Sequence, residues 1–77
     1  MNANAVKIRI LGAGLSLGEV CNTAGISKST LSNHLAGRRR SHNVQLRILL
    51  AYNHLARKSL TIKTFWGDLA ANAKESA

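Results

Sequence analysis

Residues 15–40 read LSLGEVCNTAGISKSTLSNHLAGRRR, and their spacing predicts two short helices joined by a tight turn. Ser16 and Glu19 form a capping-box pattern, in which each side chain satisfies a backbone N–H at the start of a helix. The apolar residues that follow recur at helical spacing and form one face. Gly25 then favours the left-handed conformation that ends a helix. We therefore expect the first of the two helices to lie between Ser16 and Gly25.

The second helix is predicted over residues 28–36, with Ser27 as its N-cap and Gly37 at its end. Leu31 and Leu35 fall on one side and are expected to point into the core. The opposite side carries no bulky apolar side chain and consists of Lys28, Ser29, Ser32, Asn33 and Ala36. A thin apolar edge opposite short hydrogen-bonding side chains is typical of a helix that enters a groove of DNA.

The rest of the sequence predicts three more helices. One covers residues 4–13, where the apolar pattern also alternates as in a strand but has no evident pairing partner. A longer helix is predicted over 44–58, capped by Ser41 or Asn43, and a last one over 64–71.

Length and composition limit the architecture. Seventy-seven residues, of which 45% are hydrophobic, suffice for one small domain with a core. We expect an all-α fold, a compact four- to five-helix domain spanning 1–77 with frayed ends at about 1–3 and 72–77. The sequence contains no proline, so capping side chains and glycines must set the helix ends.

The formal net charge of +8 is unevenly distributed. No carboxylate occurs between Val20 and Gly67, and that interval holds Lys28, Arg38, Arg39, Arg40, Arg47, Arg57, Lys58 and Lys63. These like charges repel one another unless a polyanion binds and neutralises them. Nucleic acid is the leading candidate, and an anionic membrane surface is the weaker one.

Enzymatic activity is not expected. The carboxylates are Glu19, which has a capping role, and Asp68 and Glu75 near the C-terminus. Cys21 lies on the apolar face of its helix and is expected to be a buried structural thiol. A single cysteine suits a reducing compartment, and no secretory signal or membrane-spanning stretch is evident. We expect a cytoplasmic protein.

Metal and cofactor binding are not expected either. His34, His42 and His54 are not spaced as compact zinc ligands. The glycines of residues 12–18 follow a GxGxxxG pattern, which differs from the GxGxxG of dinucleotide-binding folds. These glycines are expected to shape the turn between the first two helices.

The sequence resembles the phage repressor and Cro-like (XRE-type) helix-turn-helix regulators. The matching residues are SLGEV at 16–20, GISKSTLS at 25–32 and LAGRR at 35–39. The resemblance is strong over about 15–40 and less specific from Ile8 to Leu55. It implies a lambda-repressor-like domain that binds operator DNA, often as a dimer.

The resemblance also implies roles for individual residues. The base-reading positions are Lys28, Ser29, Ser32 and Asn33. The backbone contacts are Ser27, Thr30, Arg38, Arg39, Arg40, Ser41, His42 and Asn43. Their chemistry agrees, because Lys can donate to guanine O6 and N7, Asn can bridge adenine N6 and N7, and a helix N-terminus attracts phosphate.

Two positions depart from the family pattern. Many members open the first helix of the motif with a Gln that braces the second helix, whereas this chain has Leu17. His34 stands where the family has an apolar residue, and we expect it to be a partly buried packing histidine.

The sequence therefore predicts a sequence-specific double-stranded DNA-binding regulator, most simply a phage-type repressor that needs no cofactor. A homodimer is suggested by apolar residues beyond the needs of one core face: Leu46, Leu50, Phe65 and Trp66. The alternatives are an accessory factor or antitoxin-like module with the same fold, and a non-specific polyanion binder.

Overall fold

The computed structural model describes residues 5–70, in which all regular structure is helical. The elements are α1 (Ala5–Gly12), α2 (Leu17–Ala24), α3 (Lys28–Leu35), α4 (His42–Ala56), α5 (Ile62–Trp66) and a short 3-10 turn (Gly67–Leu69). The predicted all-α class is confirmed, and the alternating segment near the start is helical. The expectations for residues 1–3 and 72–77 lie outside the described residues.

Four helices begin at a hydroxyl N-cap. Ser16, Ser27, Ser41 and Thr61 each accept the backbone N–H of the third residue after them. At α2 the capping box is complete, because the Ser16 N–H also donates to Glu19 Oε1 at 2.9 Å. Gly25 ends α2 in the left-handed conformation, with φ of 71°. These local signals put α2 and α3 where the sequence predicted them.

The boundaries of the last two helices differ from the prediction. α4 begins two residues early, at His42, because Ser41 is its cap. It ends at Ala56, because Arg57 adopts the left-handed conformation with φ of 56°. The last helix begins after Thr61 and stops at Trp66, so the helix predicted over 64–71 is wrong at both ends.

The core is assembled around α4, which packs against α2 and α5. The buried apolar residues come from every helix and are Val6, Ile10, Val20, Cys21, Leu31, Leu35, Ile48, Leu49, Ala51, Tyr52, Phe65, Trp66 and Leu69. On α4 the buried stripe includes Gln45 and Leu49, whereas Val44 and Leu55 are only half-buried. α4 is therefore the central helix of the described residues.

Phe65 and Trp66 belong to this core and not to the surface. They are 2% and 0% exposed, and the Phe65 ring lies 4.8 Å from that of Tyr52, between centroids. The Trp66 Nε1–H donates to the Gln45 carbonyl oxygen at 3.1 Å. Since their surfaces are used within one chain, the prediction that Phe65 and Trp66 form a dimer contact is wrong.

The C-terminal turn packs on the connection between α3 and α4. Gln45 Nε2 donates to the Leu69 carbonyl oxygen at 2.7 Å, which fixes the position of that turn over α4. A Cβ added at Gly37 would lie 3.0 Å from Leu69 Cδ2. The connection therefore has room for glycine at this position and little more.

Substitution of two glycines measures how much the packing of Leu69 against Gly37 contributes to stability. Gly14 and Gly37 have nearly the same positive φ, 81° and 78°, but a Cβ at Gly14 would meet nothing within 4 Å. We expect Gly14→Ala to lower the free energy of unfolding by roughly 1–2 kcal/mol, from left-handed strain alone. Gly37→Ala should cost about 1 kcal/mol more, because Leu69 must also shift. Equal losses in urea unfolding would contradict the packing described here.

Candidate nucleic-acid interface

The side of α3 away from the core presents a set of short side chains, here called the outer face: Lys28, Ser29, Ser32, Asn33 and Ala36. All are exposed except Asn33, which is half-buried. The opposite side of α3 is buried through Leu31, His34 and Leu35. The exposure of the helix therefore follows the pattern that its sequence predicted.

A cluster of hydroxyl groups marks the start of α3. Ser27 Oγ accepts the Thr30 N–H at 3.1 Å and lies 2.9 Å from Thr30 Oγ1 and 3.2 Å from Ser29 Oγ. Because hydroxyl groups both donate and accept, each of these three orients its neighbours. Ser27 and Ser29 are exposed and Thr30 is half-buried, so the cluster opens to solvent at one end.

Asn33 connects the outer face to the arginines that follow it. Arg38 Nε–H donates to Asn33 Oδ1 at 3.1 Å. The backbone N–H groups of Arg38 and Arg39 donate to the Asn33 carbonyl oxygen at 3.0 and 3.3 Å. A carbonyl oxygen has two lone pairs, so Asn33 Oδ1 can still accept one more hydrogen bond. The side-chain bond between Arg38 and Asn33 has no sequence signal, because the two residues are separated by a glycine turn and do not have helical spacing.

Residues 36–41 form the arginine turn between α3 and α4. Arg38, Arg39 and Arg40 are all exposed, and Ser41 ends the turn as the N-cap of α4. The next residues, His42 and Asn43, are half-buried and exposed, respectively. The N-terminus of a fifteen-residue helix carries a partial positive charge, which adds to that of the arginines.

Two grooves flank α3. The turn groove, with a volume of about 450 Å³, is lined by Thr30, Asn33, His34, Arg39, Ser41 and Val44. The lysine groove, of about 370 Å³, is lined by Lys7, Leu17, Lys28, Leu31, Ser32, Leu35 and Ala36. They have no α3 residue in common, so they lie on different sides of the helix. Lys7 and Lys28 line the lysine groove and Arg39 lines the turn groove. Lys7 was not among the predicted site residues.

The lysine groove brings the start of α2 beside α3. Leu17 is half-buried and packs against the core. A Cβ built at Gly18 would lie 3.8 Å from Lys28 Cε, so the aliphatic part of Lys28 runs beside the first turn of α2. Contact between α3 and the start of α2 is therefore apolar and does not need an amide side chain.

His34 is buried and bridges two elements. It is 3% exposed, its Nδ1 lies 2.8 Å from the Thr30 carbonyl oxygen, and its Nε2 accepts the Ser41 N–H at 3.4 Å. The prediction of a packing histidine is confirmed. The bridge to Ser41 is an additional feature that the sequence did not reveal.

Cys21 is a buried residue of the core. It is 3% exposed, and its Sγ lies 3.8 Å from the Ser27 carbonyl oxygen. Burial raises the pKa of the Cys21 thiol above its ordinary value, and the charge of Lys28 opposes the shift. A thiol kept protonated in this way is a poor nucleophile.

No family model matches the chain, and neither a curated protein nor a solved structure matches it. Within residues 5–70, no three His, Cys, Asp or Glu residues are grouped so that they could hold a metal ion. No helix of that segment has the length and apolar character needed to cross a membrane.

Proposed function

We propose that the protein is a sequence-specific double-stranded DNA-binding transcriptional regulator, a repressor of phage or prophage type. In this proposal α2 and α3 form a helix-turn-helix, and α3 enters the major groove. One observation carries the proposal: a face of short hydrogen-bonding side chains on α3 has a basic groove on either side of it.

The dimensions of DNA agree with this arrangement. The major groove is about 12 Å wide and accepts one α-helix, with a phosphate backbone along each rim. Lys7 then lies beside one backbone. Arg39 and the N-terminus of α4 lie beside the other. Positive charge on both sides of a helix positions that helix, and the side chains between the two sides read bases.

The base-reading residues follow from the outer face. Lys28 donates to guanine O6 or N7, and Asn33 uses Nδ2 and the remaining lone pair of Oδ1 to bridge adenine N7 and N6. Ser29 and Ser32 are small enough to let α3 approach the base edges. The hydroxyl cluster, the arginine turn and the first turn of α4 contact phosphate.

Charge alone does not account for this surface. A non-specific polyanion binder needs cations but no polar helix face free of bulky side chains. The arginine turn is instead held to Asn33, a base-reading residue, by three hydrogen bonds. Coupling of the phosphate-contacting turn to the outer face favours sequence-specific binding. A repressor of this kind acts by occupying its operator and excluding polymerase.

The proposed homodimer uses α4. Leu50 is 57% exposed, and Leu46 lies half-buried one turn before it. An apolar pair on an exposed helix side is suited to an isologous contact between two copies. Two-fold related copies would place their α3 helices in half-sites about 34 Å apart.

Selection from a randomised duplex library tests the regulator directly. At two salt concentrations, the wild type should enrich one motif, and Asn33→Ala should relax it at one base pair by about 1–3 kcal/mol. Asn43→Ala is the matched control, since it makes the same change at a phosphate-contacting position. It should weaken binding without changing the motif. Binding that ignores sequence and collapses with salt in all three proteins would identify a charge-driven binder instead.

Sedimentation on a palindromic duplex carrying the motif tests the dimer. Leu50→Lys should leave the fold intact and reduce the complex to one copy per half-site, because a charge replaces the apolar contact. Leu11→Lys is the control, since Leu11 on α1 is 49% exposed and lies outside the proposed interface. If Leu11→Lys separates the copies and Leu50→Lys does not, the interface has been assigned to the wrong helix.

A further inference from the structure

We infer that His34 is a positioning residue for DNA binding, whose neutral imidazole holds the arginine turn at a fixed place beside α3. This inference rests on the proposed function. It concerns the link between the base-reading face and the phosphate-contacting turn, which no motif in the sequence encodes.

The two hydrogen bonds of His34 define its protonation and tautomer. The Thr30 carbonyl oxygen can only accept, so Nδ1 carries a proton and donates to it over 2.8 Å. The Ser41 N–H can only donate, so Nε2 holds a lone pair and accepts over 3.4 Å. Only the neutral Nδ1–H tautomer satisfies both partners.

The bridge joins the two parts of the proposed interface. Thr30 and His34 belong to α3, and Ser41 is the last residue of the arginine turn and the N-cap of α4. Near its start, the turn is already held by the bonds of Arg38 and Arg39 to Asn33. His34 holds its other end, so Arg40 lies between two fixed points. Fixed points on both sides limit where the exposed guanidinium groups can reach.

Filling space does not require histidine at this position. An apolar side chain would pack in the same place without the cost of removing two ring nitrogens from water. Within residues 5–70, no buried side-chain nitrogen or oxygen lacks a hydrogen-bond partner, so that cost is met by these two bonds. What the imidazole adds over leucine is a defined distance between α3 and the N-cap of α4.

Two substitutions separate positioning from packing. His34→Leu keeps the side chain apolar and buried but cannot bind the Ser41 N–H. The slope of log K for DNA binding against the logarithm of the salt concentration should decrease in magnitude by about 1–2. Each lost phosphate contact contributes about 0.9 to that slope. Affinity at physiological salt should fall about tenfold, with the selected motif unchanged. His34→Gln, which carries both an acceptor and a donor, should recover part of the slope.

An unchanged salt slope in His34→Leu would overturn the inference, as would a changed motif with the slope preserved.

Nitrogen-15 NMR of the wild-type imidazole gives a second test that needs no variant to fold. We expect a proton on Nδ1 and slow exchange of the Ser41 amide, and an Nε2–H tautomer would also overturn the inference. A wild type that selects no motif would remove the proposed function, whereas a selective wild type with an unchanged slope in His34→Leu removes the role of His34 alone.

Discussion

The hydroxyl N-cap of α3 is the constraint on which the proposed interface depends. Ser27 Oγ accepts the Thr30 N–H, so the helix begins at Lys28. With 3.6 residues per turn, Leu31 and Leu35 share one side of this helix, and their burial leaves Ser29 and Ser32 facing outward. The same kind of cap begins α2, α4 and α5, in a chain that has no proline to do so.

Tertiary packing places the surfaces on both sides of that face. Burial of Trp66 and the bond from Gln45 to the Leu69 carbonyl oxygen hold the C-terminal turn against Gly37. The arginine turn is therefore supported from below by the core and from the side by Asn33 and His34. The distance between base-reading and phosphate-contacting groups depends on these contacts, which reach beyond the helix-turn-helix segment.

Features encoded within a few residues were predictable from the sequence, and those that depend on distant contacts were not. The capping box at Ser16 and the left-handed Gly25 act locally, so α2 and α3 were predicted nearly to the residue. Phe65 and Trp66 gave no sequence signal to separate core from interface, because an apolar side chain suits either. Gln45 reads as a surface residue until Leu69 and Trp66 provide its partners. The bonds of Arg38 and Ser41 to α3 depend on how the turn folds back, which no periodicity encodes.

Positive charge brings the chain to DNA, and the geometry around α3 determines what it reads there. The most direct test of this account is a titration of nitrogen-15-labelled protein with a short duplex, following each backbone amide and the Asn33 side-chain amide by NMR. We expect the shifts to concentrate in residues 27–43, to include Asn33 Nδ2 and to extend to Lys7. The segment around Arg57 should be unaffected. Shifts confined to α1 or to the basic residues around Arg57, with α3 unchanged, would contradict this account.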